Sequence, residues 1–126
     1  MIRNILELIS DNLQLDINRD EVREIVNHFE NKTDDFYQEI DGQEYRFILD
    51  DYIDDIAEEE IKEITQECYL DGLDTDKYWW IAIDWKQTAE NCINADGYGH
   101  HFGGYDGNEY EVSVDSYNQY HVFRTN

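Results

Sequence analysis

Apolar residues recur at steps of three and four through the first two-thirds of the chain, a pattern typical of amphipathic helices. The first such run predicts a helix over residues 2–14. A second helix is predicted to begin after Asn18, because Glu21 follows three residues later, as in a capping box. The side of this helix that faces the core is expected to carry Val22, Ile25, Val26 and Phe29.

The longest apolar pattern spans residues 44–68. It predicts either one curved helix or two helices broken near residues 57–58, and the Asp-Gly pair at 71–72 is expected to end it. A short element over residues 36–40, ended by the Asp-Gly pair at 41–42, is expected to precede it.

The last third of the chain has a different composition and pattern, with aromatic residues and alternating polar and apolar positions. Residues 78–83 predict a strand or a buried extended segment. Asp84 is expected to cap a short helix, with Gln87 at the capping-box position and Gly97 as the end. Three strands are predicted after this helix, over residues 100–105, 108–114 and 120–124.

Two turn signals connect these three segments. Asp106-Gly107 predicts a tight hairpin turn, and residues 115–118 predict a looser one. The strands are therefore expected to form a three-stranded antiparallel meander packed against the short helix. The predicted fold class is α+β, with N-terminal helices first, in a single domain made of an acidic helical part (1–76) and an aromatic α+β part (77–126).

The chain is strongly acidic, with 31 Asp+Glu against 9 Lys+Arg and a formal net charge of -22. Seventeen of these acids lie between residues 34 and 76, where Arg46 and Lys62 are the basic residues. A disordered acidic tail would be poor in aromatics, whereas this chain is 14% aromatic and 40% hydrophobic, so a folded protein is expected. Dense like charge destabilises a fold, and its presence favours a partner that normally holds another polyanion.

Several features bear on where the protein resides. No apolar run approaches the ~18–20 residues of a membrane helix, and the first residues contain no apolar signal-peptide core. Cys68 and Cys92 form no CxxC pair and are predicted to be free thiols. These observations predict a cytoplasmic protein of a host bacterial cell, without membrane contact.

The acids of residues 44–67 have a spacing that suggests a role. This segment holds ten acids in 24 residues, and as one helix it would be ~36 Å long. One charge per ~3.6 Å is close to the ~3.4 Å between phosphates along one DNA strand. The alternative is a solvated acidic face, as in halophile proteins, but such proteins should spread their acids over both halves of the chain. The residues predicted to mimic phosphates are Asp50, Asp51, Asp54, Asp55, Glu58, Glu59, Glu60, Glu63, Glu67 and Asp71.

A resemblance to a known family lies in the last third. The run Trp80-Ile81-Ala82-Ile83-Asp84-Trp85-Lys86-Gln87-Thr88-Ala89-Glu90-Asn91, followed by Gly97-Tyr98 and the strands to Phe123-Arg124, resembles the C-terminal part of ArdA-type antirestriction proteins. The tail from residue 105 is also similar to that of small phage proteins. The resemblance implies an acidic DNA mimic that occupies the DNA groove of a restriction enzyme. It is confined to residues 78–126, since the first 75 residues do not match the leading domains of that family.

Other kinds of chemistry have little support in the sequence. His100 and His101 would point to opposite faces of a strand, and neither His28 nor His121 adds a metal-ligand spacing. The acids at 71–76 lack the arrangement of an EF-hand. No nucleophile motif and no glycine-rich phosphate loop is present. We therefore expect no catalysis, no cofactor and no metal.

These observations lead to two hypotheses about function. The first is a non-enzymatic inhibitor from a phage or mobile element that occupies the groove of a basic nucleic-acid-binding protein, such as a restriction enzyme or a CRISPR effector. It would not bind nucleic acid itself, because the chain has no basic patch. The alternative is an acidic interaction adaptor that binds a basic partner without displacing nucleic acid. The target, the choice between DNA and RNA, and homodimerisation stay open.

Overall fold

The computed structural model describes residues 17–69, 79–115 and 117–126. The predicted helix over 2–14, the helix end at 71–72 and Tyr78 lie outside these residues. The elements are α1 (Arg19–Glu30), β1 (Asp35–Ile40), β2 (Gln43–Leu49), α2 (Asp50–Ile64), α3 (Trp85–Phe102), β3 (Tyr110–Ser113) and β4 (Gln119–Arg124), and a π-helical turn over Thr65–Tyr69 continues α2.

Two of the predicted helix starts are confirmed by their caps. The side chain of Asn18 accepts a hydrogen bond from the backbone N–H of Glu21 at 2.8 Å, and the Glu21 carboxylate accepts one from the Asn18 N–H at 3.1 Å. At α3, Asp84 accepts a hydrogen bond from the N–H of Gln87 at 3.0 Å. The Gln87 side chain does not complete a box, because it donates along the helix to Asn91 at 2.9 Å.

The four strands form one antiparallel sheet in the order β1-β2-β4-β3. It consists of two hairpins, β1–β2 and β3–β4, joined through the pairing of β2 with β4, in which Phe47 lies opposite Val122. The first hairpin turns at Asp41 and Gly42, whose φ angles of 53° and 76° suit a tight turn of the type I′ class. The α+β class is confirmed, but the three-stranded meander is wrong.

Helices cover both faces of the sheet. On one face, Ile25 of α1 packs into a cluster with Phe47 and other side chains from alternate strand positions. On the other face, Ile53 of α2 and Phe102 of α3 pack with Phe123 of β4. The two faces of each central strand are therefore both buried, and α2 and α3 lie side by side on the same face.

The predicted helix over 44–68 is wrong in its first part, because residues 43–49 form strand β2. Tyr45, Arg46, Phe47, Ile48 and Leu49 are buried in succession. Since the sheet is covered on both faces, neither side of this run faces solvent. Its pattern therefore fits a helix as well as a strand. The helix begins at Asp50 and continues without a break through residues 57–58, so the alternative of two helices is wrong.

The segment around α3 also departs from expectation. Residues 79–83 form no strand, and Trp79 and Trp80 are 78% and 63% exposed. Gly97 interrupts α3 with a φ of 84°, but helical structure resumes and runs to Phe102, so the predicted strand over 100–105 is wrong. The glycine does break the helical geometry, but the chain re-enters a helix after it.

The two predicted turns have different outcomes. Asp106-Gly107 is not a hairpin turn, because it connects the end of α3 to β3, and the Gly107 N–H donates to the carbonyl of Gly103 at 2.8 Å. The turn between β3 and β4 is where the sequence predicted it. There the Asp115 carboxylate accepts hydrogen bonds from the N–H groups of Tyr117 and Asn118 at 2.7 and 2.8 Å. Ser116 lies outside the described residues.

The close approach of α3 to the 103–109 loop gives a prediction about stability. A Cβ atom on Gly99 would lie 2.1 Å from the carbonyl oxygen of Gly107, closer than any real contact. We expect Gly99→Ala to lower the free energy of unfolding by about 1–3 kcal/mol, because backbone must move to admit the methyl group. Chemical denaturation measures this loss. Gly104→Ala is the matched control, because its Cβ would meet an ordinary contact of 3.5 Å, and an equal loss in both variants would contradict the assignment.

Candidate functional site

Helix α2 carries eight acidic residues among its 15. Its apolar side, formed by Ile53, Ala57 and Ile61, is buried against the sheet and α3. This packing fixes the helix, so the positions of its carboxylates follow from their place around the helix axis. The acids divide into an outward row and two groups that face other parts of the protein.

The outward row consists of Asp51, Asp55, Glu59 and Glu63, each four residues from the next. All four are exposed. Residues at this spacing are neighbours on one helix face, ~6 Å apart. Among the described residues, none of the four lies within ion-pair distance of a basic side chain. The row is therefore a line of four carboxylates without a cationic partner in residues 17–69, 79–115 and 117–126.

A second row, Asp50, Asp54 and Glu58, faces the sheet and α3. Oδ1 of Asp50 lies 2.7 Å from Nε2 of His121 on β4. The Tyr98 hydroxyl donates a hydrogen bond to Asp54, and burial together with this hydrogen bond raises the pKa of Tyr98. Asp50 and Asp54 already have partners within the protein, so this row is a weaker candidate for binding another protein than the outward row.

A groove separates the second row from α3. It has a volume of about 370 Å³. Asp54, Asp55 and Glu58 line one side, and Lys86 and Glu90 line the other. The groove is open and acidic, with one ammonium group at its edge, and it continues the negative surface of α2 toward α3.

Glu60 belongs to a network beneath α2. Nη2 of Arg46, whose side chain is only 9% exposed, lies 2.6 Å from Glu60 and 2.7 Å from Asp35. His101 Nε2 approaches Glu60 to 3.3 Å, without the alignment of a hydrogen bond. Burial alone would raise the pKa of the Glu60 carboxyl, but the contacts from His101 and Arg46 outweigh it and lower that pKa to about 2. Glu60 therefore links α2 to Arg46 and His101 within the protein and is not available as a phosphate mimic.

A further cluster surrounds His121, whose side chain is 6% exposed. Its Nδ1 contacts the carboxylate of Glu109, while its Nε2 contacts Asp50. Burial would lower the pKa of His121, but the contacts with Asp50 and Glu109 outweigh it, so that this pKa is raised. Glu111 lies directly opposite His121 in the pairing of β3 with β4.

The predicted phosphate-mimicking residues are thus only partly brought together. Asp51, Asp55, Glu59 and Glu63 share one exposed face, and Glu67 is exposed on the π-helical turn that follows. Asp50, Asp54 and Glu60 have partners within the protein, Glu58 is half-buried beside the groove, and Asp71 lies outside the described residues.

The cluster at His121 was missed by reasoning from the sequence. Glu109 and Glu111 are two residues apart, so in the strand predicted over 108–114 they share a face, which is a signal in the sequence. The residue opposite them depends on the register of the β3–β4 hairpin, and a shift of one residue would have turned His121 to the other face. The looser turn at 115–118 does not define that register from sequence.

None of the helices described is long and apolar enough to cross a membrane. No family model, curated protein or solved structure matches this chain, so the resemblance to ArdA-type proteins stays a hypothesis.

Proposed function

We propose that this protein inhibits a basic nucleic-acid-binding protein by occupying its nucleic-acid groove with the outward row of α2. In this mechanism the carboxylates of Asp51, Asp55, Glu59 and Glu63 lie where phosphates would bind, and lysine and arginine side chains of the partner pair with them. The observation that carries the proposal is that, within the part of the chain that the structure describes, these four carboxylates have no cationic partner on a helix that is fixed by its buried side.

The charge spacing along α2 supports phosphate mimicry. The helix has 15 residues, which gives a length of ~22 Å. Two of its eight acids contact basic side chains among the described residues, Glu60 with Arg46 and Asp50 with His121. The outward row alone gives one carboxylate per ~6 Å of axis, and Asp54 and Glu58 beside the groove bring the negative surface to one per ~3.7 Å, close to the ~3.4 Å per phosphate along one strand of DNA. Because residues 43–49 form a strand, the acidic helix is shorter than the sequence predicted, but eight of its 15 residues are acidic.

The position of the row also supports competitive binding. Like charges at a spacing of four residues destabilise a helix by ~0.2–0.5 kcal/mol per pair. A solvated helix face usually avoids this cost by alternating charge sign, and Lys62 is the single basic residue of α2. A partner that supplies several cations would relieve the repulsion on binding, and complementary charge would also accelerate association.

An affinity experiment tests this proposal. The tagged protein is used to capture partners from a bacterial lysate, with and without nuclease treatment. We expect to recover a nucleic-acid-binding protein whose capture does not depend on nucleic acid. Its capture should be lost near 0.5 M salt, where screening shortens the range of electrostatic attraction to a few Å. Capture that requires intact nucleic acid would contradict direct binding. Capture of a partner that keeps its own nucleic acid would favour the acidic adaptor instead.

A further inference from the structure

The environment of His121 differs from that of an ordinary buried histidine. Both of its ring nitrogens face carboxylates, Nδ1 toward Glu109 and Nε2 toward Asp50. A neutral imidazole has one N–H and one lone pair, so it can donate to only one of these two carboxylates. A protonated imidazolium would donate to both carboxylates, whereas a neutral ring with a metal ion at Nδ1 would donate to Asp50 alone.

The donor atoms around Nδ1 could hold such a cation. One ligand atom from each of Glu109, Glu111 and His121 lies within 4.8 Å of the other two. In a tetrahedral zinc site with bonds of ~2.0–2.1 Å the ligand atoms are ~3.3 Å apart. The two glutamates are exposed, so their side chains can rotate through the remaining distance without disturbing the core.

The contact on the other ring nitrogen has the form expected around a metal. A histidine that binds a metal through one nitrogen usually donates its other N–H to a carboxylate, which fixes the tautomer and the ring orientation. Asp50, at the start of α2, supplies that carboxylate at 2.7 Å from Nε2. The ring of Tyr98 lies against the imidazole, with 5.6 Å between centroids, and holds it in place.

We propose that Glu109, Glu111 and His121 form a binding site for a divalent first-row transition metal ion, with Asp50 as the positioning residue. One nitrogen and two carboxylate oxygens are a donor set that suits zinc and its neighbours in the series. Three protein ligands leave a fourth tetrahedral position for water. The positive charge of the ion would also offset the local excess of negative charge in a chain of net charge -22.

Zinc titration of the full chain tests the site. The protein is stripped with a chelator, and binding of ZnSO₄ is measured by competition with a chromophoric chelator. We expect one tight site per chain, weakened at least ~10-fold by Glu111→Gln and by Asp50→Asn. Glu39→Gln is the matched control, because it also removes one exposed strand glutamate but lies on β1. Equal weakening by Glu39→Gln and Glu111→Gln would overturn the site in favour of diffuse attraction to the acidic surface.

Cobalt binding provides a second readout that identifies the ligands. Co²⁺ in a tetrahedral site gives strong visible absorption, and thiolate ligands add charge-transfer bands in the near ultraviolet. We expect the visible bands without the thiolate bands, and no change on substitution of the exposed His100 by glutamine. Loss of the bands in His100→Gln, or the appearance of thiolate bands from Cys68 or Cys92, would place the metal elsewhere and overturn the assignment.

Discussion

Replacing Asp55, Glu59 and Glu63 together by lysine should weaken binding to the partner by roughly 100-fold or more, while the free protein becomes slightly more stable. Close charge pairs across interfaces can couple by more than ~1.5 kcal/mol each, and reversal turns three attractions into repulsions. In the free protein the same change removes like-charge pairs with acids such as Asp51 and Glu67, which is worth on the order of 1 kcal/mol in total.

A second triple variant provides the control for that prediction. Glu30, Glu39 and Asp96 are exposed acids outside α2, and their replacement by lysine changes the net charge by the same amount. We expect this control to lose much less affinity, because it leaves the outward row intact. Equal losses in the two variants, measured by the partner's dissociation constant at fixed salt, would mean that only net charge matters. Thermal denaturation of both variants verifies that each is folded.

Replacing Arg46 by methionine should lower the free energy of unfolding by about 3–5 kcal/mol, because one partner of a buried ion pair is removed. The guanidinium pairs with Asp35 and Glu60 and lies between two rings, at 5.4 Å from the centroid of Tyr37 and 5.0 Å from that of Phe102. Without it, the two carboxylates face each other over an apolar side chain. Urea denaturation at neutral pH measures the loss.

The pH dependence of stability distinguishes the contribution of the Arg46–Glu60 ion pair from that of the packing of the Arg46 side chain. The pKa of Glu60 falls from 4.5 in the unfolded chain to about 2 in the folded protein. The ionised Glu60 carboxylate therefore stabilises the folded state above pH 4.5, and this contribution to the free energy of unfolding is lost as the pH falls toward 2. In Arg46→Met part of this acid-dependent loss should disappear, while the part that depends on His101 remains. Retention of the full slope would show that Arg46 does not hold the Glu60 carboxylate.

The helix caps could be predicted from sequence because they depend on local chemistry. Asn18 with Glu21, and Asp84 with Gln87, need only residues three positions apart to define where a helix begins. The turn at 115–118 was predictable for the same reason. Strand β2 was not predictable from sequence, because helices cover both faces of the sheet. Its residues are therefore buried in succession and lack the alternation of a strand with one exposed face.

The candidate site was predictable in composition but not in geometry. The sequence identified the acids of α2 as a group, yet two rows at the same spacing differ only by rotation around the helix. Asp50 and Asp54 lie on the row that faces His121 and Tyr98, which are distant in sequence. Only tertiary packing decides that Asp51 and Asp55 are the pair left facing outward.

If the protein and a nucleic acid compete for one groove of the partner, a displacement titration should show the exchange. The captured partner is bound to a fluorescently labelled duplex, and the protein is added while fluorescence anisotropy is recorded. The duplex alone should not respond to the protein, since phosphates meet only repulsion from an acidic surface. We predict that anisotropy falls to the value of the free duplex as the partner transfers to the protein. An anisotropy that stays constant or rises at saturating protein, with partner and protein bound together on the duplex, would contradict the claim.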